Sequence, residues 1–157
     1  MSPTRLLISL CLLVELCSCA YSFSPDPSGA VTAVTVAPSA NATQLVEAGM
    51  ILDRHLEKTV SELGLLAEGG KGARIACTVV SARRERTSVS SLLETDRYRL
   101  VITVRAVLMD SSGRTSWEGT FTDWGTFLEG ETDEAALDEA CGRVAARVAH
   151  ALASMNP

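Results

Sequence analysis

Tyr98-Arg-Leu-Val-Ile-Thr-Val-Arg-Ala-Val-Leu-Met109, followed by Asp110-Ser-Ser-Gly113 and by Arg114-Thr-Ser-Trp-Glu-Gly-Thr-Phe-Thr-Asp-Trp124, is the stretch that decides the fold. Leu100, Ile102, Val104, Ala106 and Leu108 recur at every second position, the period of a strand with one buried face. Asp-Ser-Ser-Gly is the chemistry of a tight hairpin connection. The returning strand places Trp117, Gly119 and Phe121 on one side. On its other face the central strand shows Arg99, Val101, Thr103, Arg105 and Val107. That mixture is too apolar for an indifferent wet face and too basic for a core. It reads either as a docking surface or as an ordinary half-wet antiparallel sheet.

Working outward, Arg74 to Arg83 alternates as well, with Ile75, Cys77 and Val79 on one side, and Arg84 to Thr95 is polar and Ser-rich. Val31 to Val36 is β-branched and stops before Pro38, a first strand. Asn41 or Thr43 offers a helix cap, with Gln44 able to reach back. Leu45, Ala48, Leu52, Leu56, Val60 and Leu63 then give one apolar helix face, closed by Gly64. Thr132-Asp-Glu-Ala135 caps a last helix with acidic residues in its first turn, where the helix dipole favours them. Its stripe is Leu137, Cys141, Val144, Val148 and Leu152. The order is β-α-β-β-β-α. It predicts an α+β fold: a two-layer α/β sandwich in which a four-stranded mixed sheet carries both helices on one face.

The 157 residues suffice for one domain. Apolar residues make up 46% and aromatics 4%, so the core must be built from Leu, Val, Ile and Ala. Disordered, collagen-like and disulfide-knot classes are excluded, and no apolar run reaches the roughly 18–20 residues of a spanning helix. The net charge of −5 speaks against nucleic-acid binding. Its distribution is polar: Arg74 to Arg105 carries +4, and residues 106–139 carry −8. The domain should have a positive and a negative end.

Arg5 precedes the apolar run Leu6 to Val14, an export signal of residues 1–18. Leu16-Cys17-Ser18-Cys19-Ala20 resembles a bacterial lipobox, with Leu16 at −3 and Ser18 at −1 from Cys19. Cys19 is then the acylated residue of a lipid anchor, and Ala20 after it, in place of Asp, points to the outer membrane. Residues 19–30 read as lipidated N-terminus and tether, and residues 31–157 as the domain.

No catalytic or metal chemistry emerges. His55 and His150 lie far apart in sequence, without further ligands nearby. Gly69-Gly-Lys-Gly72 lacks the leading Gly and following Ser or Thr of a phosphate loop. Cys77 and Cys141 both fall on core-facing stripes. In an oxidising compartment they form either a disulfide, worth about 4 kcal/mol for a loop of this span, or two buried thiols.

Several segments together resemble the LPS-assembly lipoproteins of the LptE family. They are Cys19 with Ala20-Tyr21-Ser22-Phe23, Val34-Thr-Val36 before Asn41-Ala-Thr43 and Glu47-Ala-Gly49, and Arg97-Tyr-Arg-Leu100. The Asp110/Gly113 turn before Ser116-Trp117-Glu118 and the closing run Ala145 to Leu152 complete the likeness. Ala20 departs from the usual Gly, and Trp124 or Phe127 stands where a Tyr is expected. The resemblance implies a non-enzymatic outer-membrane protein on the periplasmic side, without cofactor. It would plug the β-barrel of the LPS translocon and contact lipopolysaccharide. Arg83, Arg84 and Arg86, read as a strand end and its loop, are either phosphate contacts, because guanidinium forks bind phosphate oxygens bidentately, or a solvated charge cluster softened by Glu85. The alternatives are a lipoprotein activator of a peptidoglycan synthase, whose domains share this element order, and an adaptor of a secretion or flagellar assembly.

Overall fold

The computed structural model describes residues 31, 33–67, 72–88 and 97–155. The export signal, Cys19 and the tether lie outside them. The elements are β1 (Val34–Val36), β2 (Ala40–Asn41), α1 (Ala48–Glu62), β3 (Ala73–Ser88), β4 (Arg97–Met109), β5 (Thr115–Leu128) and α2 (Glu134–Ala153). The sheet order is β1-β3-β4-β5, and β2 also pairs with β3. β1 and β2 run parallel to β3, while β3, β4 and β5 are successively antiparallel. The expected α+β sandwich with a mixed sheet is therefore present, with β2 as a fifth, two-residue strand.

One apolar core joins the helices to the sheet. Leu52, Leu56 and Val60 of α1 and Val144, Val148 and Leu152 of α2 meet Ile75, Val79, Leu100, Ile102, Val104, Leu108 and Phe121. Parallel pairing of β1 with β3 needs a crossover, and α1 supplies it. α1 ends in a Schellman motif: Gly64, at φ +69°, donates to Ser61 O at 2.9 Å, and Leu65 N donates to Val60 O at 3.0 Å. At the β4–β5 turn, Gly113 N bonds Asp110 O at 3.0 Å and Gly113 takes φ +81°. The Asp110 carboxylate accepts from Ser112 Oγ, Ser112 N and Arg114 N. These bonds, led by the Ser112 hydroxyl, hold its pKa down at about 2.

The structure differs from the sequence reading at three places. First, α1 starts at Ala48, after the candidate caps. Asn41 is held in β2, and its Oδ1 accepts from Thr43 N at 2.9 Å and Thr43 Oγ1 at 2.8 Å, while its Nδ2 donates to Leu45 O. That local turn takes up the side chain that would otherwise cap the helix. Second, β3 continues to Ser88, and β5 to Leu128, beyond the expected ends at Arg83 and Trp124. Third, β3 has a bulge between Val79 and Ser81 that leaves Val80 exposed. Before it, odd-numbered residues face the helices; after it, even-numbered ones do.

The outer edge of β5 is closed by side chains. Glu139 accepts from Thr126 N at 2.9 Å, Glu131 from Leu128 N at 2.8 Å, and Arg147 donates to Thr122 O at 2.8 Å. α2 can lie this close because position 125 is Gly: a Cβ there would overlap the Ala136 carbonyl. Gly125→Ala should therefore destabilise the domain by about 3 kcal/mol, read as a lowered urea midpoint. Gly113→Ala, strained only by its positive φ and otherwise open to solvent, should cost about 1 kcal/mol.

Candidate functional site

No described element covers the face of the sheet opposite the helices. β4 contributes Arg97, Arg99, Val101, Thr103, Arg105 and Val107 to it, and the register adds their neighbours on both sides. On one rung Val101 lies between Arg83 of β3 and Trp124 of β5. Val101 is only 6% exposed although it stands outside the helix-side core. The flanking side chains give it a small apolar centre of its own. The Arg99 guanidinium stacks 4.9 Å from the Trp124 ring centroid, and Arg143 of α2 reaches the same ring at 5.7 Å. Such stacking fixes long cationic side chains while leaving their donors outward.

Around this centre the polar groups are paired across strands or, for Arg83, along one. Thr103 and Thr122 hydroxyls lie 3.0 Å apart. Arg105 holds Glu118 bidentately at 2.7 and 2.8 Å, which lowers the Glu118 pKa. Arg83 bonds Glu85 at 2.7 Å. Such exposed ion pairs are screened by solvent and contribute little to stability, so a partner can exchange them readily.

The expected arginine cluster is placed differently from the reading at a strand end and its loop. Arg83, Arg84 and Arg86 all lie within β3, where alternation sends neighbours to opposite faces. Arg83 joins Arg99 and Arg105 on the open face. Arg84 turns to the helix side, where Asp133 accepts from its Nη2 at 2.6 Å and its Nε at 3.1 Å, and its guanidinium lies 5.9 Å from the Phe127 ring. Arg83 and Arg84 therefore belong to different surfaces. Trp124 as the anchor of the open face was missed from sequence, because its neighbours follow from the β4–β5 register alone.

Cys77 and Cys141 are both buried and free, so of the two readings the structure has the thiols. Cys141 Sγ lies 3.8 Å from Ala48 O. Burial pushes both thiols up to about 12, with Asp53 adding to the effect at Cys77 and Asp138 at Cys141. His55 Nε2 lies 2.9 Å from Asp138 Oδ1 and ties the two helices together; Arg54 also donates to that oxygen. Among the described residues no three His, Cys, Asp or Glu side chains are grouped to hold a metal.

No family model and no curated protein matches the sequence. Among solved structures, the chain is similar to a PelC variant dodecamer from Paraburkholderia phytofirmans, at a TM-score of 0.55 and 22% identity over 77% of this chain and 86% of that one. It is similar to the same protein in a second crystal form, at 0.54 and 22% over 74% and 85%. A minor lipoprotein from Acinetobacter baumannii matches at 0.54 and 13% over 81% and 97%. At these identities the likeness is one of fold. The Acinetobacter neighbour shows that a bacterial lipoprotein uses this sandwich.

Two outcomes follow for the thiols. The native protein should not react with a thiol reagent at pH 8, and both Cys77 and Cys141 should react once it is unfolded in denaturant. Below pH 9 the thiols are neutral in both states and leave stability unchanged. Between about 9 and about 12 only the unfolded thiols ionise, so the urea midpoint should fall as pH rises through that window.

Proposed function

We propose that this protein is a non-catalytic, lipid-anchored lipoprotein of the outer membrane, facing the periplasm, that supports and plugs the β-barrel of the LPS translocon. The observation that carries the reading is the open sheet face. Arg83, Arg97, Arg99 and Arg105 surround Trp124 and the buried Val101 there, with no second layer among the described residues. A basic and aromatic face suits docking inside a larger wall and contact with an anionic glycolipid. The lipobox at Cys19 and the likeness of segments from Val34 to Leu152 to the LptE family support the same reading. Two or more acyl chains on Cys19 would give durable attachment, at about 0.8 kcal/mol per buried methylene. Phosphate contacts on this face fall to Arg83, Arg99 and Arg105 and not to Arg84, which Asp133 engages from the helix side.

A second reading is an adaptor of a secretion or flagellar assembly; a multi-copy assembly is compatible with the fold shared with PelC, which forms a dodecamer. A peptidoglycan-synthase activator is the third. Affinity purification of the acylated chain from detergent-solubilised outer membranes separates them. The plug reading expects a large β-barrel at one-to-one, retained when acylation is blocked by Cys19→Ala and lost from the Arg99→Glu/Trp124→Ala double variant. A ring of many copies of this chain, or a peptidoglycan synthase in place of the barrel, would replace it with one of the other two.

A further inference from the structure

The two edges of the sheet are treated differently. Glutamate and arginine side chains cover the outer edge of β5 from Thr122 to Leu128, whereas among the described residues β3 is paired on its outer side only by β1 at Ala73–Ile75 and by β2 at Thr78–Val79. The last backbone bond on that side runs from Ala42 N to Val79 O, at 2.9 Å. Antiparallel pairing with β4 uses alternate residues. After the bulge it leaves the N–H and C=O of Ala82 and Arg84 pointing outward, and among the described residues nothing bonds to them there. Beside this edge runs a groove of about 670 Å³. Ala42 to Leu45 form one wall, Val80 to Arg84 the other, and Leu100 and Asp133 also line it.

We propose that this edge is a strand-addition site: an extended, acidic segment of a partner protein pairs with β3 at Ala82–Arg84, continuing the line of β2. Backbone bonds would supply affinity, and alternate side chains would fall into the groove and onto the open face beside Arg83. The edge selects charge. From Ala82 to Arg86 it carries three arginines and one glutamate; with Asp133 in the groove beside Arg84 the balance is one positive charge, which discourages indiscriminate pairing and favours carboxylates on the incoming strand.

The other occupants fit less well. Ala82 lies nine residues beyond Ala73, about 30 Å at 3.3 Å per residue. With the chain fixed at Val31 in the core, about nine of residues 19–30 would be used merely to arrive. A second copy paired antiparallel about Arg84 would set the two Arg84 side chains opposite each other. Its two Arg83–Glu85 contacts would only replace ones that each chain already makes at 2.7 Å.

The test uses the full-length chain in detergent micelles and an end-capped seven-residue peptide alternating Val and Glu. Two controls accompany it: the same peptide with Lys for Glu, and one N-methylated along its pairing edge. Amide exchange is followed by NMR. In the free protein the Ala82 and Arg84 amides should exchange at least tenfold faster than those of Ile102 and Val104. The acidic peptide should slow them at least tenfold and bind at least tenfold more tightly than either control. Ala82→Pro, which removes an outward N–H that the domain itself does not use, should abolish binding while retaining the far-UV spectrum. Four results would overturn the proposal: Ala82 and Arg84 already protected in the free protein; no preference for Glu over Lys; binding unaffected by N-methylation; or concentration-dependent self-association that protects the same amides. Because the test reads backbone pairing at Ala82 and Arg84 and the site shares only Arg83 with the open face, failure of the barrel purification would leave this result untouched, and the reverse holds as well.

Discussion

The alternation of side chains along β4 is the constraint on which this domain depends. Leu100, Ile102, Val104, Ala106 and Leu108 commit one face to the helices. The same backbone geometry then forces Arg99, Val101, Thr103 and Arg105 onto the other. The central strand pairs on both sides, so its register with β3 and β5 fixes every neighbour on both faces. The buried Val101 shows how far this goes. A sheet face with no layer above it still acquires a dry centre, because Arg83 and Trp124 stand on the same rung and Arg99 lies across the indole.

The helices determine which parts of the sheet are closed. Gly125 lets α2 approach β5 closely enough for Glu139 and Arg147 to satisfy its outward backbone groups. On the far side α1 leaves β3 paired only at its beginning. The protein thus has one guarded edge and one open edge, and the charges along the open one limit what can pair with it.

Much of this was legible in the sequence, because the strongest signals are periodic. The two-residue alternation of residues 98–109, the Asp110–Gly113 turn and the apolar stripes of both helices each specify one element, and the elements agree with one another. Three things were not legible. The polar end of β3, with Arg84, Glu85 and Arg86, carries no buried face to report its strand, so its extent follows only from pairing with β4. The start of α1 was obscured because Asn41 and Thr43 satisfy each other in a turn that looks, residue by residue, like a cap. Which of Arg83 and Arg84 faces the helices depends on the bulge after Val79, which leaves no signature in composition. The open face was half visible: its central row could be read from β4, but Trp124 entered it only through the register.

That bulge also sets a reading frame in space. Downstream of Val79, one extra residue decides which arginine looks into the groove and which joins the indole. If Val80 were instead paired into a regular ladder with β4, so that the bulge vanished while the residue stayed, the following segment would turn over. Arg83 would then face the helix side and Arg84 the exposed side, and the two surfaces would exchange ligands with the composition unchanged. Deleting Val80, by contrast, would leave both arginines on their present faces, because Val79 and Ser81 already pair with the consecutive residues Val104 and Thr103. Related chains of equal length, one with the bulge and one without, would therefore align residue for residue and yet carry these arginines on opposite surfaces.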